Sequence, residues 1–178
     1  VTLWQLAQAS PESLAQLESL GASGEGLEAL RELRRRVAAF QGLPSVPPPA
    51  GFEAELRPYQ RTGLDFLAWT GQTGLGAVLA DDMGLGKTVQ ALAWLLYMKH
   101  AEPDGGPALV VCPASVMHNW RDEAARFAPS LRVLVLASGE ERHVLRREVP
   151  DYDLVITNYA LLRRDRAHWR EIPLRAAI

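Results

Sequence analysis

The sequence predicts an α/β protein, a parallel β-sheet with helices on both faces, preceded by a short α-helical segment. Three observations carry this expectation. Short apolar runs recur after residue 76: "AVLA" (77–80), "ALVVC" (108–112), "RVLVL" (132–136), "DLVIT" (153–157) and "LRAAI" (174–178). The stretches between them are long enough for the crossover helices that parallel strands require. Helical periodicity fills those stretches: in "TVQALAWLLYMK" Val89, Leu92, Ala93 and Leu96 share one side, and the other side is also apolar, as in a helix packed deep against a sheet. Finally, the proline-rich stretch "GLPSVPPPAGFEAELRPYQ" separates this pattern from a purely helical one before it, because consecutive prolines favour an extended, semi-rigid linker.

The boundary is placed near residue 50. Before it, Ser10 can cap a helix with Pro11 at its first position and Leu14, Leu17 and Leu20 at helical spacing, ended by Gly21. A second helix is predicted over "EGLEALRELRRRVAAF", with Leu27, Leu30, Leu33 and Val37 as its stripe. The run Arg34, Arg35 and Arg36 reads as a solvated helix face before it reads as a nucleic-acid patch. Residues 1–50 are thus expected to form a helical appendage and linker, and residues 51–178 the α/β lobe.

Composition sets limits on function. With 178 residues, 48% of them hydrophobic and 22% charged, the chain can bury the core of one ordinary domain with a small appendage. The formal net charge of −2 and a pI near 6.1 give no global basic signature, so contact with a polyanion has to come from locally placed donors. The single cysteine, Cys112, lies in an apolar run and reads as strand filler, and the four histidines have no metal-type spacing. No run is long and apolar enough to span a bilayer, and the first residues lack the basic flank and apolar stretch of a signal peptide. The expectation is a cytoplasmic protein, and the initial Val1 suggests a piece of a longer chain.

Chemistry concentrates where strands end, because parallel strands share one carboxyl edge and ligands bind along it. "AVLADDMGLGKT" places Asp82, Met83, Gly84, Leu85, Gly86, Lys87 and Thr88 between an apolar run and a helix, which is the context of a phosphate-binding loop. Gly84 and Gly86 free the backbone amides to approach phosphate oxygens. Lys87 supplies a mobile cation, Thr88 a hydroxyl for magnesium, and the helix start its unpaired N–H groups. The strict pattern asks for glycine where Asp81 stands. Upstream, Gln60 in "LRPYQRTGLDFLAW" can present a donor and an acceptor together to an adenine edge, although a surface glutamine on a helix beginning after Pro58 is the plainer reading. Past "ALVVC", Pro113 breaks pairing and Ser115 can cap the next helix; past "DLVIT", Thr157 and Asn158 hold the equivalent place. Donors of this kind hold phosphates without reading bases. Trp120 reads as a packing anchor.

These four segments, "LRPYQRTGLDFL", "LADDMGLGKTVQAL", "LVVCPASVMHNWRDEAARF" and "DYDLVITNYALL", resemble in content and order the motifs of the switch/sucrose-nonfermenting (Swi/Snf) type ATPases of helicase superfamily two. The resemblance covers residues 52 to 178 and implies the front of a first RecA-like lobe, ATP and Mg2+ as cofactors, and double-stranded DNA as the partner of the parent protein. It makes Asp81 normal for the family. It implies a catalytic role for Lys87, adenine contact for Gln60, magnesium contact through ATP for Thr88, and contact with the DNA backbone for Ser115, Thr157 and Asn158. Richness in Ala, Leu and Arg and the lack of organellar signals point to a bacterial member, cytoplasmic or nucleoid-associated. The second acidic motif of the class and its arginine finger do not occur in these residues, so the 178-residue chain is expected not to hydrolyse ATP alone. A nucleotide-switched scaffold or polymerase-associated module, with residues 1–42 capturing a protein partner, is the alternative; a metabolite kinase would leave Gln60, Ser115 and Thr157 without a reason.

Overall fold

The computed structural model describes residues 25–38, 40–139 and 142–178; the helix expected over residues 10–20 lies outside them. Within the described residues the chain forms α1 (Glu25–Ala38), α2 (Pro58–Thr73), α3 (Lys87–Ala101), β1 (Ala108–Cys112), α4 (Met117–Phe127), β2 (Val133–Val135), α5 (Arg142–Leu145), β3 (Leu154–Asn158), α6 (Tyr159–Arg164), α7 (Arg166–Trp169) and β4 (Ala176–Ala177). Short 3-10 turns at Ala114–Val116 and Arg146–Asp151 precede α4 and β3. The sheet runs in the order β2-β3-β1-β4 with every pairing parallel.

Each face of the sheet buries its own cluster. On one, Ala108, Val110 and Cys112 of β1 and Leu154 and Ile156 of β3 meet Leu92, Leu95 and Leu96 of α3 and Ala124 of α4. Trp120 packs against the same cluster. On the other, Leu109, Leu134 and Val155 meet Val149, Leu162 and Trp169. Alternation along β1 and β3 sends successive side chains to opposite faces, and both faces are covered, which explains why these strands read as unbroken apolar runs. Cys112 is buried as filler, and burial raises its thiol pKa.

The helix α3 also has a second covering layer. Ala93, Val89, Trp94 and Tyr97 pack against Leu64 and Ala68 of α2, together with Val46 and Leu56. The proline-rich stretch is neither helix nor strand, but it is fixed to the lobe: the Val46 amide donates to Asp65 Oδ1 at 2.8 Å, Arg61 Nη2 to the Val46 carbonyl at 3.0 Å, and the Glu53 amide to the Phe127 carbonyl at 2.8 Å. Ahead of it, α1 docks on the end of α2. Arg36 Nη1 donates to the Gln72 carbonyl at 2.6 Å, and the rings of Phe40 and Trp69 lie 4.8 Å apart. Arg35 and Arg36 both pair with Glu32 and remain about half exposed or more, so these two members of the basic run are solvated and paired within the helix.

One expected strand is absent. Residues 77–80 form no ladder, and Val78 is 82% exposed. A strand needs a neighbour's row of free N–H and C=O groups. Here a cleft of about 190 Å³ separates Gly76, Ala77 and Leu79 from Ala177 and Ile178 of the nearest edge. The other four apolar runs all carry strands.

At the amino edge of the sheet Asp153 joins three elements. Its Oδ2 accepts from Lys99 Nζ of α3 and from the Arg132 amide, both at 2.8 Å, and from Arg132 Nε at 3.3 Å. Burial alone would push this carboxyl up, but the hydrogen bonds from Arg132 and Lys99 outweigh it and hold it below the usual carboxylate range. A depressed folded pKa contributes stability above the unfolded value, about pH 4, and that contribution is lost as the pH falls through the folded pKa. Asp153→Asn is therefore expected to lower stability by about 1–3 kcal/mol at pH 7, with the gap from wild type closing in acid. Urea unfolding across pH 2–7 checks this, and an unchanged midpoint at pH 7 would remove Asp153 from the account of stability.

Candidate functional site

Because α3 runs back across the sheet to feed β1, its N-terminus lies at the carboxyl edge. The sharp turn before it follows from Gly84 at φ 85° and Gly86 at φ 77°, left-handed conformations that side chains with a Cβ rarely adopt. Gly86 serves as the N-cap of α3 with no side-chain cap, so the first amides of the helix remain available to an anion. Lys87 begins the helix, and its Nζ donates to the carbonyls of Asp81 at 2.8 Å and Asp82 at 2.9 Å. Met83 at 96% exposure and Leu85 at 36% face outward from the turn.

Gln60 is the contact through which α2 locks onto this loop. Its Oε1 accepts from the Arg57 amide at 2.9 Å, closing the first turn of α2, and its Nε2 donates to the Leu85 carbonyl at 3.1 Å. Tyr59 Oη donates to the same carbonyl at 3.2 Å. Gln60 is buried at 8% exposure, so the plainer expectation of a surface glutamine is corrected: helix α2 turns this residue toward the loop. Its amide keeps one free hydrogen and one free lone pair. A Cβ on Gly86 would stand 2.6 Å from Gln60 Nε2, so the close fit of α2 depends on glycine there.

A cavity of about 420 Å³ opens in front of the loop. Gly84, Gly86, Lys87, Thr88 and Val89 line one wall, and Glu123, Arg126 and Phe127 of α4 the other. Burial raises the Glu123 carboxyl, an effect that Arg126 partly offsets, while the Arg126 guanidinium lies 4.8 Å from the centre of the Phe127 ring. Glu123 and Arg126 were not visible as site residues in the sequence. Their spacing of three puts them on one helix face, but nothing in the sequence says which face turns to the loop. Gln90 was missed as well, although it is the one polar residue in the apolar run from Val89 to Leu96. It is fully buried and holds Asp81 Oδ2 at 2.8 Å. Among the described residues no group of three or more His, Cys, Asp or Glu is placed to hold a metal by itself. The chemistry is that of a phosphate-bearing ligand with its own cation, for which the cradle of amides, the mobile Lys87 ammonium and the Thr88 hydroxyl are fitted.

The strand-edge segments lie along the same edge. Ser115 is exposed in the 3-10 turn after β1. It does not cap α4, because the turn makes Val116 the N-cap residue and no side chain fills that role. Asn158 ends β3 and caps α6, its Oδ1 accepting from the Leu161 amide at 3.1 Å; its Nδ2 lies 3.7 Å from Met117 Sδ at the start of α4. Thr157 is buried at 1% exposure and its hydroxyl donates to the Leu136 carbonyl at 3.3 Å. Of the three, it is the one whose side chain does not reach the edge.

Fold and site together define a parallel α/β lobe with a glycine-rich loop and an uncapped helix N-terminus at the carboxyl edge of its sheet. The SNF2-related domain matches residues 59–178, and the chain belongs to that family. It is 39% identical over 138 residues to the chromatin-remodeling ATPase INO80 of Arabidopsis thaliana, covering 72% of this chain and 9% of that protein. It is likewise 39% identical over 139 residues to the putative ATP-dependent helicase/translocase YwqA of Bacillus subtilis, covering 76% and 15%. Among solved structures, the Sulfolobus solfataricus SWI2/SNF2 ATPase core in complex with dsDNA superposes with a TM-score of 0.67 at 38% identity, over 75% of this chain and 27% of that one. The chain thus spans a small part of the length of these relatives.

The geometry makes Gly86→Ala a specific probe. The strained backbone and the contact with Gln60 are expected to cost about 1–2 kcal/mol and to loosen the start of α2, measured by denaturant unfolding and by exchange of the Arg61 amide. Unaltered stability would mean that Gln60 and the loop are not tightly coupled.

Proposed function

We propose that this chain supplies the ATP-binding loop and part of the DNA track of an ATP-dependent double-stranded DNA translocase. The observation that carries the proposal is the common edge: the Lys87 loop and the turns after β1 and β3 stand along one side of a parallel sheet in a chain of the SNF2-related family. In this reading the amides from Gly84 to Thr88 cradle the phosphates and Lys87 exchanges its two carbonyl partners for phosphate oxygens. Gln60 offers its remaining donor and acceptor to adenine. Magnesium, held through ATP beside Thr88, supplies positive charge against the phosphate oxygens. Glu123 and Arg126 form the facing wall of the cavity.

The DNA-facing part of the proposal rests on Ser115, Asn158 and Thr157. Ser115 offers an exposed hydroxyl and Asn158 an amide near the edge; Thr157 contributes by fixing the turn through its bond to Leu136. Such contacts carry no sequence information, which suits a motor that must cross any sequence. The dsDNA complex of the Sulfolobus relative supports this partner. The reading extends to a bacterial protein that is cytoplasmic or nucleoid-associated. The described part of α1 is docked on α2 through Arg36 and Phe40, which favours the motor over a scaffold that would present residues 1–42 to a partner.

In the full-length protein, duplex DNA is expected to stimulate ATP hydrolysis, and Lys87→Ala to reduce kcat by about 10²-fold or more. Hydrolysis that ignores both Lys87→Ala and DNA would refute the proposal. Ser115→Ala should weaken binding equally for all duplex sequences and shift the salt dependence by about one phosphate contact. The isolated 178 residues should show no turnover.

A further inference from the structure

Asp81, the departure from the general phosphate-loop pattern, has a specific partner. Its Oδ2 accepts from Gln90 Nε2 at 2.8 Å, and Gln90 is 0% exposed. The same Nε2 lies 3.5 Å from the Gly86 carbonyl. The other end of the amide, Oε1, is buried with no hydrogen-bond partner and points at Gly63 of α2, where a Cβ would overlap it. A buried amide with one end unmet is costly, and an aliphatic side chain of similar size would fill the space without that cost. What the amide contributes is therefore the bond made by its Nε2.

We infer that Gln90 is a positioning residue for the phosphate loop, holding the Asp81 carboxylate inward and so fixing the segment that enters the loop, whether or not Lys87 keeps its bond to the Asp81 carbonyl. Asp81 is tied at two points: its side chain to Gln90 and its carbonyl to the Lys87 ammonium at 2.8 Å. The segment entering the loop is thereby fixed to the second turn of α3 without using a loop amide. The amides at the start of α3 stay free for phosphate, and Gly63 is the gap in α2 that admits Gln90. A glycine at position 81 would give the loop no such anchor and would leave Gln90 Nε2 with only its long contact to the Gly86 carbonyl, beside an already unmet Oε1. The role in ATP binding rests on the proposed function above, while the coupling of Gln90 to the loop does not.

The test uses the full-length protein with Asp81→Ala, Asp81→Asn, Gln90→Ala and the Asp81→Ala/Gln90→Ala double variant. Three quantities are measured: deuterium exchange of amides over residues 79–90 without nucleotide, KM and kcat for ATP with saturating duplex DNA, and thermal unfolding. Asp81→Ala and Gln90→Ala should each accelerate exchange in the loop and raise KM about tenfold while kcat changes by less than about threefold. Asp81→Asn keeps an acceptor for Gln90 and should recover most of the loss, and the double variant should be no worse than the worse single. The inference is overturned if Asn is as damaging as Ala, if the single effects multiply in the double variant, or if only the melting temperature moves. Should the wild-type protein neither bind nor hydrolyse ATP, the functional reading fails, and the exchange comparison by itself upholds or overturns the coupling of Gln90 to the loop.

Discussion

Burial of α3 between two packed layers is the constraint on which the rest depends. The sheet and α4 cover one side through Leu92, Leu95 and Leu96, and α2 covers the other through Ala93, Val89 and Trp94. A helix enclosed in this way cannot rotate or slide without opening two close-packed contacts at once. Its N-terminus, with Gly86 and Lys87, is consequently presented at a fixed point of the carboxyl edge. The Asp153 clamp works from the opposite end, where Lys99 in the last turn of α3 meets the leads into β2 and β3. One helix is thus anchored at its foot by charge and held along its length by apolar packing, and its head is left to do chemistry.

Much of this arrangement was legible in the sequence because the signals were local. "ALVVC" became β1 residue for residue, since a strand covered on both faces must be apolar throughout. The start of α2 at Pro58 and the span of α3 were written in turn chemistry and periodicity. "AVLA" shows the limit of that logic. Its composition matches a buried strand, but pairing depends on an edge contributed from elsewhere, and the nearest edge stands across a cleft. Ser115 failed as a helix cap for a related reason: a 3-10 turn intervened and moved the N-cap to Val116.

The site was legible in its loop and illegible in its walls. Lys87, Gly84 and Gly86 carry their chemistry in their own spacing. Glu123, Arg126 and Gln90 acquire theirs only once α4 and α2 are laid against α3, because side-chain direction on a helix becomes meaningful only against a neighbour. Thr157 shows the converse. Its position after a strand suggested an outward hydroxyl, but the pleat turned it inward, where the Leu136 carbonyl accepts its hydrogen.

The contacts of Lys87 bear on what occupancy of the loop means energetically. With its ammonium already bonded to two main-chain carbonyls, the cation is solvated in part by the protein's own backbone. In the proposed function an incoming oxyanion would substitute for those carbonyls, so that neutral acceptors give way to charged, stronger ones. The loop would then behave as an ion exchanger whose counter-dipoles are its own backbone. The carbonyls of Asp81 and Asp82 would be released in that exchange while Gln90 still holds the Asp81 side chain, so a change in ligand charge at Lys87 would become a change in backbone freedom centred on Asp82 and the turn after it.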